Sequence, residues 1–184
     1  MIECYVNGPA RYQEYDPSAP RVASLMAARI AEIEPKLVVE HIGSTAVPGC
    51  AGKGIVDLAV LYDERDLERA KQILDMLGFQ RQSTRDPFPE SRPMRVGAIS
   101  HAGRMYQLHA HVVCADSPEI IELRAFRDRL RADPELRAAY ESTKRQIIAA
   151  GVTDSVAYCE AKESFIRQAL KQAAAPDFKT LPIR

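Results

Sequence analysis

The sequence predicts an α/β fold, in which a small sheet with flanking helices precedes a C-terminal helical bundle. A short run rich in β-branched residues (37–39) and a longer apolar run (55–61) are typical of strands, and the segment 67–77 has the spacing of an amphipathic helix. From residue 117 onward the apolar residues recur at helical spacing. We therefore expect a single domain over 1–175, with an α/β core over 1–115, a helical part over 116–175 and a flexible tail over 176–184.

The composition is that of a globular protein of about one domain. The chain has 184 residues, of which 46% are hydrophobic and 27% are charged, and its formal net charge is zero. A neutral chain has no bulk attraction for a polyanion, so we expect no long nucleic acid as a partner. Because the N-terminus lacks a signal-peptide pattern, no apolar run approaches a membrane span and the cysteines have no paired spacing, we expect a cytoplasmic protein with reduced thiols and no membrane contact.

The first helix is predicted to begin at Asp16-Pro17 and to end before Pro35. Aspartate is a favoured N-cap, and proline is well tolerated in the first turn of a helix. Apolar residues then recur at helical spacing, and we expect this face to pack on the sheet: Val22, Leu25, Met26, Ile30 and Ile33.

The stretch between the first two predicted strands carries the first candidate site. Gly43, Ser44 and Thr45 form a small-residue turn, in which consecutive backbone N–H groups can hold an anion, and Lys53 can reach a phosphate. Asp57 lies in an apolar strand, where a carboxylate is costly unless it binds a cation or an opposite charge. The alternative is a β-hairpin with a long loop, in which Asp57 only accepts hydrogen bonds from backbone N–H groups.

The same stretch resembles the GrpB family, whose pattern reads roughly His-Ile-Gly-Ser-Thr-x-Val-Pro-Gly-Leu-x-x-Lys-Pro-x-x-Asp. Residues 41–49, Lys53 and Asp57 match it. This family of UPF0157-type proteins is similar to nucleotidyltransferases of the polymerase-β type and also occurs beside dephospho-CoA kinase. The resemblance implies a nucleotidyltransferase-like small mixed sheet, a triphosphate at residues 43–45 and a divalent metal at Asp57. Ala59 stands where the polymerase-β pattern has a second carboxylate.

Residues 81–104 are rich in proline and contain five arginines, which are Arg81, Arg85, Arg92, Arg95 and Arg104. Arginines on such a segment suit a lid that closes over phosphates through bidentate contacts, and we predict that Arg95 binds the nucleotide. The alternative is a solvated hairpin whose charges only keep it soluble. Alternation over residues 94–98 predicts a short strand here.

Residues 105–113 predict a further strand, in which His109 and His111 project from one face and the opposite stripe is apolar. Two adjacent imidazoles suit a divalent metal, phosphate contacts or general base catalysis. The resembled family carries a His-Leu-His pattern here, which implies that this strand lies beside the one bearing Asp57. We therefore predict that Asp57, His109 and His111 are metal ligands and catalytic residues. The alternative is a solvent-facing stripe on a half-exposed strand.

Three helices are predicted in the remaining chain, beginning at Ser117-Pro118, at Asp133-Pro134 and at Thr153 or Asp154. Tyr140 and Lys144, and likewise Tyr158 and Lys162, are four residues apart and share a helix face. Both lysines could point at a phosphate, and a solvated lysine is the favoured alternative.

The leading functional hypothesis is a nucleotidyltransferase-like enzyme that uses a nucleoside triphosphate and a divalent metal (magnesium, manganese or a transition metal). It would transfer a nucleotidyl group to an unidentified acceptor, and such chemistry depends on positioning and charge neutralisation. One alternative is a non-catalytic module that binds a nucleotide or phosphometabolite. Another is a metal-dependent hydrolase. The sequence leaves the acceptor, the base preference and the oligomeric state open.

Overall fold

The computed structural model describes residues 1–84 and 86–174, except for the side chains of Ser155 and of residues 172–174. Arg85 and the tail predicted at 176–184 lie outside the described residues.

A mixed five-stranded sheet forms the centre of the described chain. The strands are β1 (Val38–Ile42), β2 (Val56–Tyr62), β3 (Gln80–Arg81), β4 (Met94–His101) and β5 (Arg104–Cys114). Their spatial order is β1-β2-β5-β4-β3, and β2 and β5 pair in parallel while the other neighbouring pairs are antiparallel. The predicted strand over 105–113 therefore lies beside the strand that carries Asp57, as expected.

Five helices cover this sheet and extend beyond it in the described residues. They are α1 (Ala19–Ile33), α2 (Leu67–Met76), α3 (Pro118–Ala132), α4 (Pro134–Ala149) and α5 (Ser155–Ala174). Side chains of α1 and α2 form the main core with one face of the sheet, where Leu58, Ala110 and Val112 are fully buried. Ile120 of α3 packs in a smaller cluster with residues of the other face, and α3, α4 and α5 share a third apolar cluster. This mixed α/β architecture confirms the predicted fold class.

Local differences from the sequence-based expectations have simple physical reasons. Helix α1 begins two residues later than expected, because Asp16 accepts a hydrogen bond from the Ser18 backbone N–H and Ser18 becomes the N-cap residue. The short strand predicted over residues 94–98 is longer in the structure, where the eight-residue strand β4 pairs with β5 along its whole length. Ile120 of α3 lies in the smaller apolar cluster, whereas its neighbour Ile121 is exposed.

No helix among the described residues has both the length and the apolar character needed to cross a membrane.

Candidate functional site

Strand register brings the three predicted metal ligands together. Asp57 on β2 is the direct partner of His109 on β5, and His111 lies two residues further along the same face. The Asp57 Oδ1 atom is 3.2 Å from Nδ1 of His109 and 3.8 Å from Nε2 of His111. One ligand atom from each of the three side chains lies within 4.8 Å of the others. The predicted cluster is therefore present as a geometric unit.

The two histidines keep the Asp57 carboxylate ionised in a partly buried position. Burial by itself would raise the pKa of Asp57, but its interactions with the imidazoles of His109 and His111 outweigh burial and hold that pKa far below its usual range. Gly43 makes the close packing possible, because its φ of 71° is in the left-handed region and a Cβ atom there would overlap Asp57 Oδ2. The turn predicted to bind phosphate therefore lies directly against the carboxylate.

Ser44 and Thr45 continue from Gly43 in a short 3₁₀ turn (Ser44–Ala46). The Ser44 Oγ atom accepts a hydrogen bond of 3.2 Å from Lys144 Nζ on α4, and that ammonium also donates to the Ala51 carbonyl. Thr45 Oγ1 donates to the Ile55 carbonyl, so it accepts from Nε2 of His41 at 3.0 Å. The turn is therefore fixed from both sides before any ligand binds.

Lys144 is buried, which contradicts the favoured expectation of a solvated lysine. Only 1% of the residue is exposed, its Nζ lies 3.4 Å from Cys50 Sγ, and the same ammonium sits 4.2 Å from the centroid of the Tyr140 ring. Burial lowers the pKa of Lys144. Its hydrogen bonds make it a clamp that joins α4 to the 44–51 loop.

Lys53 and Lys162 flank one aromatic ring at the entrance to the helical part. Their Nζ atoms lie 5.2 Å and 5.1 Å from the centroid of the Tyr158 ring, which itself is buried. Burial lowers the pKa of Lys53. Both lysines line the same cavity as Asp57, so two cations face the space beside the carboxylate.

Arg95, predicted to bind the nucleotide, lies on the wrong face of the sheet. Side chains alternate along β4, so Met94 and Val96 line the cavity while Arg95 points to the opposite side. There its guanidinium is 1% exposed and binds the carboxylates of Asp75 at 2.7 Å and Glu90 at 3.0 Å. The prediction for Arg95 is therefore wrong, because the face of β4 that carries Arg95 is turned away from the cavity.

Arg92, from the same arginine-rich segment, does reach the site. Its Nη1 atom lies 3.1 Å from Nδ1 of His111, its other nitrogens bind Glu119 on α3, and its guanidinium stacks 4.3 Å from the Phe88 ring centroid. Burial is the main cause that lowers the pKa of His111, and the positive charge of Arg92 contributes. The segment before β4 thus covers His111.

The site lies in one large cavity between the sheet and the helical part. Its volume is about 700 Å³, which is in the usual range for a small-molecule site. The polar groups of the sheet form one side, and apolar side chains of the helices form the other, including Phe126, Leu130 and Ile166.

Ala59 occupies the position of the second carboxylate, and the neighbouring strand does not replace it. Glu40 of β1 is the register partner of Ala59 and so lies on the same face of the sheet. Its carboxylate binds Arg124 at 3.0 Å and Arg127 at 3.2 Å, and the hydrogen bond from Arg124 is the main cause of its lowered pKa. The carboxylate of Glu40 is thus already neutralised by two arginines.

The donor set of the Asp57 cluster fits a divalent transition metal better than magnesium. One carboxylate and two imidazoles are ligands for zinc, iron, nickel or copper, whereas magnesium prefers oxygen donors. Arginine can only donate, so the hydrogen bond from Arg92 requires the lone pair of His111 Nδ1 and places the proton on Nε2. A metal at Nε2 of His111 therefore requires the Arg92 contact to change.

Three contributors to the site were missed by sequence reasoning because they come from distant segments. Tyr5 lies 104 residues from His109, and its hydroxyl is 3.0 Å from His109 Nε2. Arg92 was one of five arginines with no feature to distinguish it, and Lys144 was expected in solvent. Of these three residues, only Lys144 has an indication in the sequence, because its spacing of four residues from Tyr140 places both on one helix face.

Comparison with known proteins identifies relatives along most of the chain. The family model described as GrpB protein matches residues 9–172. A UPF0157 protein of Halalkalibacterium halodurans is 31% identical over 165 residues, which is 88% of this chain and 81% of the relative. A UPF0157 protein of Streptomyces coelicolor is 36% identical over 137 residues, 74% of this chain and 69% of the relative. A dephospho-CoA kinase of Mycolicibacterium paratuberculosis is 28% identical over 191 residues, 90% of this chain but 46% of the kinase.

Solved structures share the fold. The conserved protein GrpB from Enterococcus faecalis superposes with a TM-score of 0.68 at 25% identity, covering 89% of this chain and 96% of that protein. The Cid1 poly(U) polymerase with MgGTP bound superposes with a TM-score of 0.53 at 16% identity, covering 73% of this chain and 44% of the polymerase. The second similarity shows that the fold is nucleotidyltransferase-like.

Proposed function

This chain belongs to the GrpB family, and from that premise we propose that it binds a nucleoside triphosphate with a divalent metal and transfers a nucleotidyl group to an acceptor. The nucleotidyltransferase-like fold supports the proposal at the level of architecture. The observation that carries it is the contact between Gly43 and Asp57, which places an anion-binding turn against a carboxylate inside a ligand-sized cavity.

The residues around the cavity divide into three groups. Gly43, Ser44 and Thr45 offer backbone N–H groups to the terminal phosphates, with Lys53 as a nearby cation. Asp57, His109 and His111 hold the metal, whose bound form supplies charge neutralisation at the phosphates. The aromatic and aliphatic side chains of the helical part leave an apolar space of the kind that a nucleobase fills.

Most of the expected catalytic power comes from positioning. The triphosphate has to be oriented so that the acceptor, the reacting phosphorus and the leaving pyrophosphate are roughly in line. Lys144 holds the 44–51 loop, and His41 holds Thr45. The turn that would bind the terminal phosphates is therefore in position before the ligand arrives. Phe88 packs edge-on against the ring of His111, with 5.8 Å between the ring centroids, and helps to exclude water from that side of the site.

A non-catalytic binding module is the second candidate, and a specific observation favours it. The metal cluster has a single carboxylate, since Ala59 replaces the second one and Glu40 is neutralised by arginines. A relative named as a dephospho-CoA kinase contains a similar segment as part of a longer chain, which is compatible with an accessory role. Release of pyrophosphate during incubation with a nucleoside triphosphate distinguishes the enzyme from the module.

Thermal unfolding with each of the common nucleoside triphosphates, combined with magnesium, manganese, zinc or chelator, tests the proposal. A ligand at 100 times its Kd stabilises the native state by about 2.7 kcal/mol, which raises the melting temperature by several degrees. We expect one nucleotide and metal combination to raise the melting temperature of the wild type and not that of Asp57→Ala. The exposed carboxylate at the end of β2 provides the control, Asp63→Ala, which should respond like the wild type.

Each outcome of this experiment has a clear meaning. A shift that is equal in Asp57→Ala and in the wild type would place the nucleotide elsewhere. A shift with metal alone would favour the metal-dependent hydrolase. Absence of any shift at millimolar nucleotide would contradict the nucleotide site itself.

A further inference from the structure

The N-terminal arm, residues 1–10, places Tyr5 in the cavity. The backbone of Glu3 pairs with that of Ala98 on β4 through hydrogen bonds of 2.8 and 2.9 Å. On the other side of Tyr5, the Val6 N–H donates to Gln107 Oε1 on β5 at 3.1 Å. The arm is therefore attached to the sheet before and after Tyr5.

Three contacts fix Tyr5 itself. Its backbone N–H donates to Gln80 Oε1 at 2.9 Å, its ring centroid lies 5.4 Å from that of His109, and its hydroxyl lies 3.0 Å from His109 Nε2. Tyr5 is half-buried and lines the same cavity as Gly43, Ser44 and Asp57. The Tyr5 hydroxyl is therefore held against the imidazole of His109 and faces the cavity.

Tyr5 and the phosphate turn lie on opposite sides of Asp57, which is the arrangement expected of an acceptor of the nucleotidyl group. Across the sheet, the order of groups is the turn after β1, then Asp57 on β2, then His109 on β5, and then Tyr5 on the far side. The turn holds the terminal phosphates in the proposed function, so the pyrophosphate leaves on the turn side of Asp57. In-line displacement requires the attacking oxygen on the opposite side, where the Tyr5 hydroxyl lies.

We propose that the Tyr5 hydroxyl is an acceptor of the nucleotidyl group, so that the protein modifies itself with a nucleoside monophosphate. This inference rests on the proposed function and names its acceptor. The Tyr5 oxygen forms a bond to the α-phosphorus of the nucleoside triphosphate while the bond from that phosphorus to the pyrophosphate oxygen breaks. The phenol proton passes to the imidazole of His109, whose Nε2 lies 3.0 Å from the Tyr5 oxygen, the pyrophosphate leaves as its anion, and the product is a tyrosine-linked phosphodiester.

Mass spectrometry of the full chain tests the proposal. The protein is incubated with each nucleoside triphosphate and magnesium, manganese or zinc, and intact mass, the modified peptide and released pyrophosphate are measured on the same sample. We expect a mass increase of one nucleoside monophosphate residue per chain, located on the peptide that contains Tyr5, with pyrophosphate in equal amount.

Two tyrosine variants make the test specific. Tyr5→Phe keeps the aromatic contact with His109 and removes the attacking oxygen, so it should lose the mass increase. Tyr12→Phe is the matched control, because Tyr12 is also near the N-terminus but its hydroxyl accepts from Arg145 Nη2 at 2.8 Å and does not line the cavity. The Tyr12 variant should be modified like the wild type.

The results separate this inference from the proposed function. A label that persists in Tyr5→Phe, or that maps to another residue, overturns the inference. Pyrophosphate release or nucleotide-dependent thermal stabilisation without any covalent label also overturns it and leaves the proposed function standing. If there is no label, no pyrophosphate and no stabilisation, both are overturned.

Discussion

The guanidinium of Arg92 determines which nitrogen of His111 carries the proton. Arg92 Nη1 is 3.1 Å from His111 Nδ1, and His111 Nε2 faces Asp57 Oδ1 at 3.8 Å. Because arginine can only donate, Nδ1 accepts and the proton resides on Nε2. The atom that would bind a metal beside Asp57 is thus protonated while Arg92 is in place.

Replacing this arginine should strengthen metal binding at the site. In Arg92→Met, His111 can move its proton to Nδ1 and present the Nε2 lone pair beside Asp57, so we expect affinity for cobalt or zinc to rise by about tenfold, since groups that orient metal ligands act on this scale. Titration with cobalt, followed by its visible absorption, measures the change.

The exposed Arg81, which contacts Glu90 at 3.8 Å, provides the matched variant Arg81→Met. It removes a positive charge from the same segment without touching His111, and cobalt affinity should stay at the wild-type value. Equal affinities for the Arg92 and Arg81 variants would contradict the role assigned to the proton on His111.

The Gly43 position should tolerate no side chain. Gly43→Ala introduces a Cβ that overlaps Asp57 Oδ2 and also strains a backbone with φ of 71°. A φ of 71° with a ψ of −170° is a backbone conformation essentially confined to glycine, and it costs about 1–3 kcal/mol for a residue with a Cβ. Gly103→Ala also adds a Cβ at a residue with a positive φ, 74°, and nothing lies within 4 Å of the added atom.

Comparing the two glycine variants separates the effects specific to Gly43, which are its ψ of −170° and the clash with Asp57, from the cost of a positive φ alone. We expect Gly43→Ala to lower the free energy of unfolding in urea more than Gly103→Ala does, and to abolish nucleotide-dependent stabilisation, which Gly103→Ala should retain. Equal losses of stability, with the nucleotide response intact in both variants, would show that Gly43 is needed only for the backbone conformation of the turn and not for packing against Asp57.

Lys144 should be needed to hold the phosphate turn. Lys144→Met keeps much of the side-chain volume but removes the donor to Ser44 Oγ and to the Ala51 carbonyl. Leaving a buried acceptor without its partner costs about 1–3 kcal/mol, so the free energy of unfolding should fall by that amount. Nucleotide-dependent stabilisation should fall with it, because Ser44 is no longer fixed.

The exposed Lys171 on α5 is the control for this prediction. Lys171→Met should change the unfolding free energy by less than about 0.5 kcal/mol, as surface substitutions usually do. If Lys144→Met were as stable as Lys171→Met, the Lys144 ammonium would not be the clamp described above.

Periodicity and the family resemblance together predicted the centre of the site. The alternation along β5 predicted that His109 and His111 share a face, and the resemblance placed that face beside Asp57, where the register confirms it. What periodicity cannot supply is which face of a strand meets the cavity. Arg95 was therefore assigned to the cavity although β4 turns it to the other side.

Long-range contacts account for the rest of what was missed. Tyr5 and Arg92 reach the histidines from segments without a regular pattern, so nothing local indicates where their side chains end. The spacing of Lys144 from Tyr140 indicates which helix face it shares. It does not indicate that the ammonium donates to the carbonyl of Ala51. A lysine becomes buried only when such a partner exists, and the partner is a product of the folded structure.

His41 should make the stability of the protein depend on pH between about 4 and 6.5. Burial lowers the pKa of His41 from 6.5 to about 4, with a smaller contribution from Arg131 and Arg127 and an opposing one from Asp57. The unfolded chain binds the proton more tightly than the folded protein in this interval, so stability is full above 6.5 and falls as the pH is lowered towards 4. A shift of this size corresponds to at most about 3 kcal/mol.

The variant His41→Gln separates this contribution from those of other groups. Glutamine can still donate to Thr45 Oγ1, as His41 Nε2 does at 3.0 Å, but it does not titrate. Urea unfolding at about pH 7 and at about pH 4.5 should show a smaller loss of unfolding free energy in the variant than in the wild type. Asp57 and His111 are present in both proteins, so their effects on the pH dependence largely cancel in the comparison. Parallel pH profiles would mean that His41 takes up its proton in the folded protein as readily as in the unfolded chain.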